Sequence, residues 1–190
     1  MAASNIEAVR TALQSLSEVL DPYIEQVAAK FVPDGRDWTI LLAAKDAEKG
    51  IQGKEYSRTD PQDQFRIITE PIGALGYIFN DHLSRGEQGL VGELRSVRTD
   101  VAHFKSFAPD DAVRALDTIE RVMRAIGALR DADRVRTLAG IHEWTATYLA
   151  RHLEAGVPAV EPMLEVLLHK YYSEYQLRDV HRLELDGRAA

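Results

Sequence analysis

The chain has 190 residues, a formal net charge of −7 and a pI near 5.4, with 45% hydrophobic and 28% charged residues and no cysteine. That is enough for one domain, or one domain with an appendage, in an ordinary globular composition. It excludes disulfides and thiolate zinc sites, and the acidity argues against a broad basic face that coats nucleic acid.

The N-terminus, MAASNIEAVRTAL, lacks a basic start followed by an apolar core, and no apolar run is long enough to span a bilayer. A cytoplasmic protein without membrane association is expected. Ser4 and Glu7 have the spacing of a capping box, and Ile6, Val9, Leu13, Leu16 and Leu20 recur at helical spacing. A first helix with one core-facing stripe follows. Asp21–Pro22 reads either as a new start or as a kink in a helix that runs on through Tyr23, Ile24, Val27 and Phe31. Residues 32–37, VPDGRD, are a turn. Trp38, Ile40, Leu41 and Leu42 open a shorter helix to about Lys49, with Trp38 as a core plug. Residues 50–60 are polar and aperiodic, an exposed loop open to partner contact.

Asp60–Pro61 pairs a cap with a proline ahead of Phe65, Ile67 and Ile68, and that helix ends or kinks near Pro71. Ile72, Leu75, Tyr77, Ile78, Phe79 and Leu83 read as a buried segment weakened as a helix by Gly73 and Gly76. Asn80, Asp81 and His82 lack a spaced third ligand, so no metal site is read there. Residues 84–89 lead into the next helix. Its inward stripe is Leu90, Leu94, Val97 and Val101, which leaves Arg95 and Arg98 off the core. Residues 104–108 make a corner, and Pro109 opens a long helix with Val113, Leu116, Ile119, Val122, Met123 and Ile126 inward. Arg114, Asp117, Glu120, Arg121 and Arg124 face water, with Glu120–Arg124 and Asp117–Arg121 as i,i+4 pairs.

Arg98 and His103 flank four residues just before the corner. A helix turns about 100° per residue, so the two side chains stand about 140° apart. They can converge if the last turn unwinds at His103, or if a second copy supplies a partner pair. Such a pair around a phosphodiester suits metal-free cleavage, with the His moving protons and the Arg holding the phosphate. RNA is the natural substrate, because its 2′-hydroxyl is an internal nucleophile. The alternative for Arg98 is a solvated helix residue paired with Glu93 or Asp100, and for His103 a helix C-cap.

The wider stretch LRSVRTDVAHFKSFAPDDAVRALDTIERVMRAIGA resembles the HEPN superfamily, whose signature is an Arg, four to six residues, then a His. Thr99 stands where the family often has Asn, Asp or His after the Arg. The stretch is similar to a branch found at the start of large bacterial proteins with ATPase or helicase-like regions. A related domain occurs in a eukaryotic nuclear endoribonuclease. The resemblance covers about residues 1–130 and is dense from Glu93 to Ala128. It implies an all-α antiparallel helix bundle, frequent homodimerisation and, where the motif is intact, RNA cleavage without metal or cofactor.

Past Ala128, residues 129–138 keep a helical period, and Leu138, Ile141, Trp144, Tyr148, Leu149 and Leu153 continue it to about Gly156. His142-Glu143 is not a zinc-protease motif, since Ala146 stands in place of the second His. Val157–Pro158 breaks the chain before a last helix with the cluster HKYYSEY, His169 to Tyr175. The division is thus a bundle over 1–130 and a helical extension over 131–190.

Two functions stay open. One is an endoribonuclease with Arg98 and His103 catalytic, Thr99 and Asp100 orienting them, and Arg95 or Lys105 guiding the strand, in toxin activity or antiviral defence. The other is an inactive dimerisation or docking module for a larger partner, such as an ATPase or a defence complex.

Overall fold

The stripe Val9, Leu13, Leu16, Leu20, Ile24 and Val27 is buried along α1 (Ala2–Ala28), the spine of the bundle. The computed structural model describes residues 2–51 and 53–140. Within them α1 is followed by α2 (Thr39–Glu48), α3 (Pro61–Thr69), α4 (Arg85–Ala102), α5 (Pro109–Ala125) and α6 over 129–140. No strand occurs among the described residues, and the six helices form an all-α bundle. α1 packs against α5, α3 and α4, α4 also lies on α3 and α5, and α2 rests on α3. The chain divides into units Met1–Glu143 and Trp144–Ala190. Most of the expected extension, including the His169–Tyr175 cluster and the helix reaching Gly156, lies outside the described residues.

Pro22 sits inside α1, which runs on without a new start. Pro22 and Glu18 are both exposed, so the Glu18 carbonyl that loses its donor is available to water. α1 begins at Ala2, ahead of the start that the Ser4–Glu7 spacing predicts. The preceding alanines are strong helix formers and nothing stops them. The capping box instead belongs to α4, which begins earlier than the lead-in read over 84–89. Ser84 Oγ accepts from the Glu87 N–H at 3.3 Å and Glu87 Oε2 accepts from the Ser84 N–H at 2.7 Å.

Trp38 is 1% exposed and its ring N–H donates to Asp21 at 3.0 Å. Asp60 caps α3 by accepting from the Gln62 N–H at 2.9 Å, with Pro61 at the first helical position. The segment between α3 and α4 is a short 3-10 helix, Gly73–Leu75, followed by turns, and only part of it is core. Ile72, Ile78, Phe79 and Leu83 are buried, whereas Leu75 and Tyr77 are each 48% exposed. On α4 the core positions are Val91, Leu94 and Val101, with Leu90 and Val97 only half-buried. On α5, Val113 and Ile126 are likewise half-buried, and Ala112, Ala115 and Thr118 widen the stripe.

Glu120 departs from its expected solvent position. It is buried, bonded by Arg124 Nε at 2.8 Å and faced by Arg136 of α6 at 3.8 Å. α6 brings Ala132, Val135 and Leu138 into the core of this unit, and its arrival covers the α5 face that periodicity left open.

Candidate active site at the α4–α5 corner

α4 keeps its helical register through His103, whose N–H donates to Thr99 O at 3.1 Å. Of the two routes to convergence, unwinding at His103 is therefore not taken; the chain leaves the helix one residue later. Arg98 and His103 stay about 140° apart in rotation and about 7.5 Å apart in rise. His103 is the C-cap of α4, its side chain exposed and without a hydrogen bond or ion pair among the described residues.

Arg98 is half-buried at the surface. Its Nη2 donates to both oxygens of Asp60, at 3.1 and 3.3 Å, while Nε and Nη1 have no partner among the described residues. A fork-on-fork pair would occupy two nitrogens; this one occupies Nη2 alone and leaves Nε and Nη1 as separate donors for another anion. Arg98 lines a groove of about 590 Å³ together with Arg10, Leu13, Gln14, Thr59 and Val101. Glu18 and Asp21 line the same groove, so its walls are of mixed charge.

The expected supporting residues are placed separately. Arg95 Nη2 donates to Glu70 at 2.8 Å and its Nη1 to Thr69 Oγ1 at 3.4 Å, which ties it to α3. Thr99 donates back along its own helix to Arg95 O at 2.9 Å. Lys105 is paired with Asp100 at the surface. Of the candidates, then, Arg98 lines the groove and His103 stands at the helix end, while Arg95, Thr99, Asp100 and Lys105 are engaged with one another or with α3. Glu93 pairs with Arg114 across to α5 at 2.7 Å, rather than with Arg98.

Asp60 was legible only as a cap. Its second partner, Arg98, lies 38 positions away, a pairing that no local pattern carries. The corner itself is pinned from α1: Asn5 Nδ2 donates to Phe107 O at 3.1 Å, and the Phe107 ring is buried. Phe104 points the other way, 80% exposed, with the Arg10 guanidinium 5.9 Å from its ring centre.

Beneath α4 lies a buried cluster of charges. Arg66 Nη2 gives Asp46 two bonds of 2.8 Å, Tyr56 O–H adds a third at 2.7 Å, and Lys45 pairs with Glu70. The Arg66 guanidinium, helped by Tyr56 and opposed by burial, holds the Asp46 carboxyl down at about 2. Burial pushes Glu70 up, but Lys45, Arg66 and Arg95 outweigh it and leave it below the usual carboxylate range. The loop over 50–60 is exposed along most of its described length, as expected, and is tied down at Tyr56, Ser57 and Arg58. Tyr56 reaches Asp46, the Ser57 N–H reaches Asp63 at 3.1 Å, and Arg58 grips Asp21 and Glu25 through four bonds of 2.8–3.1 Å. No group of three or more acidic, His or Cys side chains among the described residues could hold a metal ion. No helix among them is long and apolar enough to cross a membrane.

An all-helical bundle of this kind is consistent with a HEPN fold. Residues 11–127 match the Swt1-like HEPN family, and the chain belongs to it. That family is associated with RNase activity. No curated protein and no solved structure matches the chain.

Proposed function

We propose that this chain is a metal-independent endoribonuclease of HEPN type, acting as a toxin or antiviral effector, with Arg98 and His103 as its catalytic residues. The observation that carries the reading is the end of α4, where the His103 ring is exposed and uncommitted and Arg98 keeps two free donors. The RNA 2′-hydroxyl attacks phosphorus, the bond to the 5′-oxygen breaks, and a 2′,3′-cyclic phosphate remains. His103 takes the proton from the hydroxyl or gives one to the leaving oxygen. Arg98 holds the phosphate through one of its unpaired nitrogens, Nε or Nη1, while Asp60 anchors Nη2, so charge building on the phosphoryl oxygens meets a fixed cation. Because the two side chains diverge within one helix, a homodimer that juxtaposes two α4 ends completes the site.

The test is RNA cleavage in EDTA by wild type, Arg98→Ala and His103→Ala at matched folding. Loss in both variants, with cyclic-phosphate ends in the wild type, supports the reading. Unchanged cleavage in His103→Ala sinks it.

A second reading is favoured by the pairing of Arg95, Arg98 and Lys105 with Glu70, Asp60 and Asp100. Neutralised in this way, the corner suits an inactive dimerisation or docking module for a larger protein, an ATPase or a defence complex. A stable dimer that binds no RNA supports this second reading.

A further inference from the structure

Three helices of the bundle end in the same way. At the end of α2, the Gly50 N–H donates to Ala47 O and the Ile51 N–H to Asp46 O, both at 2.9 Å. At the end of α5, the Gly127 N–H donates to Arg124 O and the Ala128 N–H to Met123 O, at 3.1 and 2.9 Å. At the end of α4, the Phe104 N–H donates to Val101 O and the Lys105 N–H to Asp100 O, at 3.2 and 3.0 Å. This is the Schellman pattern, and it puts the residue after the cap in the left-handed region. Gly50 and Gly127 take φ of 77° and 81° without penalty. Phe104 takes φ of 53°, the sole non-glycine there among the described residues. A bulky side chain in that conformation is an outlier that works against folding.

Nothing in the core repays that strain, because the Phe104 ring is 80% exposed. Its neighbours Ala102, His103, Lys105 and Ser106 are exposed as well, and all but Ala102 are polar. The ring is therefore a lone aromatic under the Arg10 guanidinium, itself paired with Glu7, with His103 and the Asp100-paired Lys105 next to it in the chain, and is not the centre of an apolar patch. A hydrophobic protein interface wants a contiguous apolar core, whereas single-stranded nucleic acid wants an aromatic face with cations along the backbone path.

Resting on the ribonuclease reading, we infer that Phe104 is a stacking platform for a nucleobase of single-stranded RNA next to the scissile phosphate. Its position directly after His103 sets the ring within one nucleotide of the reacting phosphodiester. Arg10, above the ring and in the same groove as Arg98, pairs with Glu7 through Nη1 and meets the backbone of that nucleotide through its other N–H groups. Every base has a π-face, so the platform orders the strand without choosing its sequence.

The test compares the full-length chain with Phe104→Gly and Phe104→Tyr. Phe104→Gly relieves the left-handed strain, so it is expected to melt at or above the wild-type temperature. It nonetheless raises KM for RNA by roughly tenfold to a hundredfold, the worth of one stacked base, with kcat little changed. Phe104→Tyr keeps the wild-type KM. A second measurement follows the Phe104 ring resonances by NMR as a 2′-O-methyl oligoribonucleotide, which cannot be cleaved, is added. Upfield ring-current shifts are expected. Unshifted resonances overturn the platform, as does a wild-type KM in Phe104→Gly. Conversion of a wild-type dimer to monomer by Phe104→Gly also overturns it and makes Phe104 an interface residue. Shifted resonances in a chain that cleaves no RNA leave the platform standing and overturn the ribonuclease reading alone.

Discussion

Two groups of charged residues, one where α2, α3 and α4 meet and one at the end of α4, differ in how completely their charges are paired, although Arg66 Nη1 in the first is buried without a hydrogen-bond partner among the described residues. In the cluster under α4, Asp46 accepts three bonds and Glu70 faces three cations, Lys45, Arg66 and Arg95. Lys45, Asp46 and Arg66 are each at most 9% exposed. At the corner, Arg98 spends one nitrogen on Asp60, and His103 spends nothing. The difference follows from water. A charge taken out of solvent must be almost fully paired or the fold does not tolerate it. A charge at the surface can stay partly free at no cost, and only such a group can receive a substrate. The buried cluster fixes α2, α3 and α4 to one another, while the corner presents what remains available.

The largest expected effect separates the two regions by activity. His103→Ala should lower RNA cleavage by roughly 10²–10⁴-fold, with the urea midpoint little changed because the exposed ring has no hydrogen bond or ion pair among the described residues. Arg66→Ala should do the reverse. It strands Asp46 in the interior and should cost about 3–5 kcal/mol of stability by urea denaturation, while cleavage per folded molecule stays near wild type. Such a variant with a wild-type urea midpoint would remove the distinction drawn above.

Acid sharpens the comparison. The folded-state carboxyl of Asp46 lies at about 2, below its unfolded value of about 3.9. A depressed carboxyl contributes stability that is fully present above the unfolded value and lost as pH falls through the folded one. The wild-type urea midpoint should therefore fall as pH drops from about 4 toward 2, and the fall should be smaller in Asp46→Asn. Equal slopes would mean that Asp46 is not the group responsible.

Smaller effects follow. Tyr56→Phe removes one neutral-to-charged bond from the loop and should cost about 1–2 kcal/mol in thermal or urea unfolding. Lys105→Ala breaks an exposed pair with Asp100 and should shift stability by less than about 0.5 kcal/mol. A larger loss would mean that the surface pair holds the corner in place.

Much of the bundle was legible because each helix carries its own signal. The apolar stripes of α1 and α5, the Asp60–Pro61 start of α3 and the Pro109 start of α5 all lie within a few residues of what they determine. The same pattern could also mislead. Ser4–Glu7 and Ser84–Glu87 have identical spacing, yet only the second stands at a helix start. Before Ser4 stand helix-forming alanines; before Ser84 stand the buried Leu83 and turns that cannot continue a helix. What precedes the motif decides it, through packing that the motif does not contain.

The candidate site divides along the same line. The spacing of Arg98 and His103, the corner and the proline after it are properties of the local chain, because helix rotation and termination depend on neighbouring residues. The sequence by itself therefore determined that an Arg–His pair stands at a helix end in an all-α protein. Tertiary structure decided the rest: Asp60 behind Arg98, Glu70 on Arg95, Glu120 covered by α6, and Phe104 turned out to solvent in a glycine conformation. These depend on which surfaces meet after the helices form, and contacts between residues 25 to 38 positions apart leave no period in the chain.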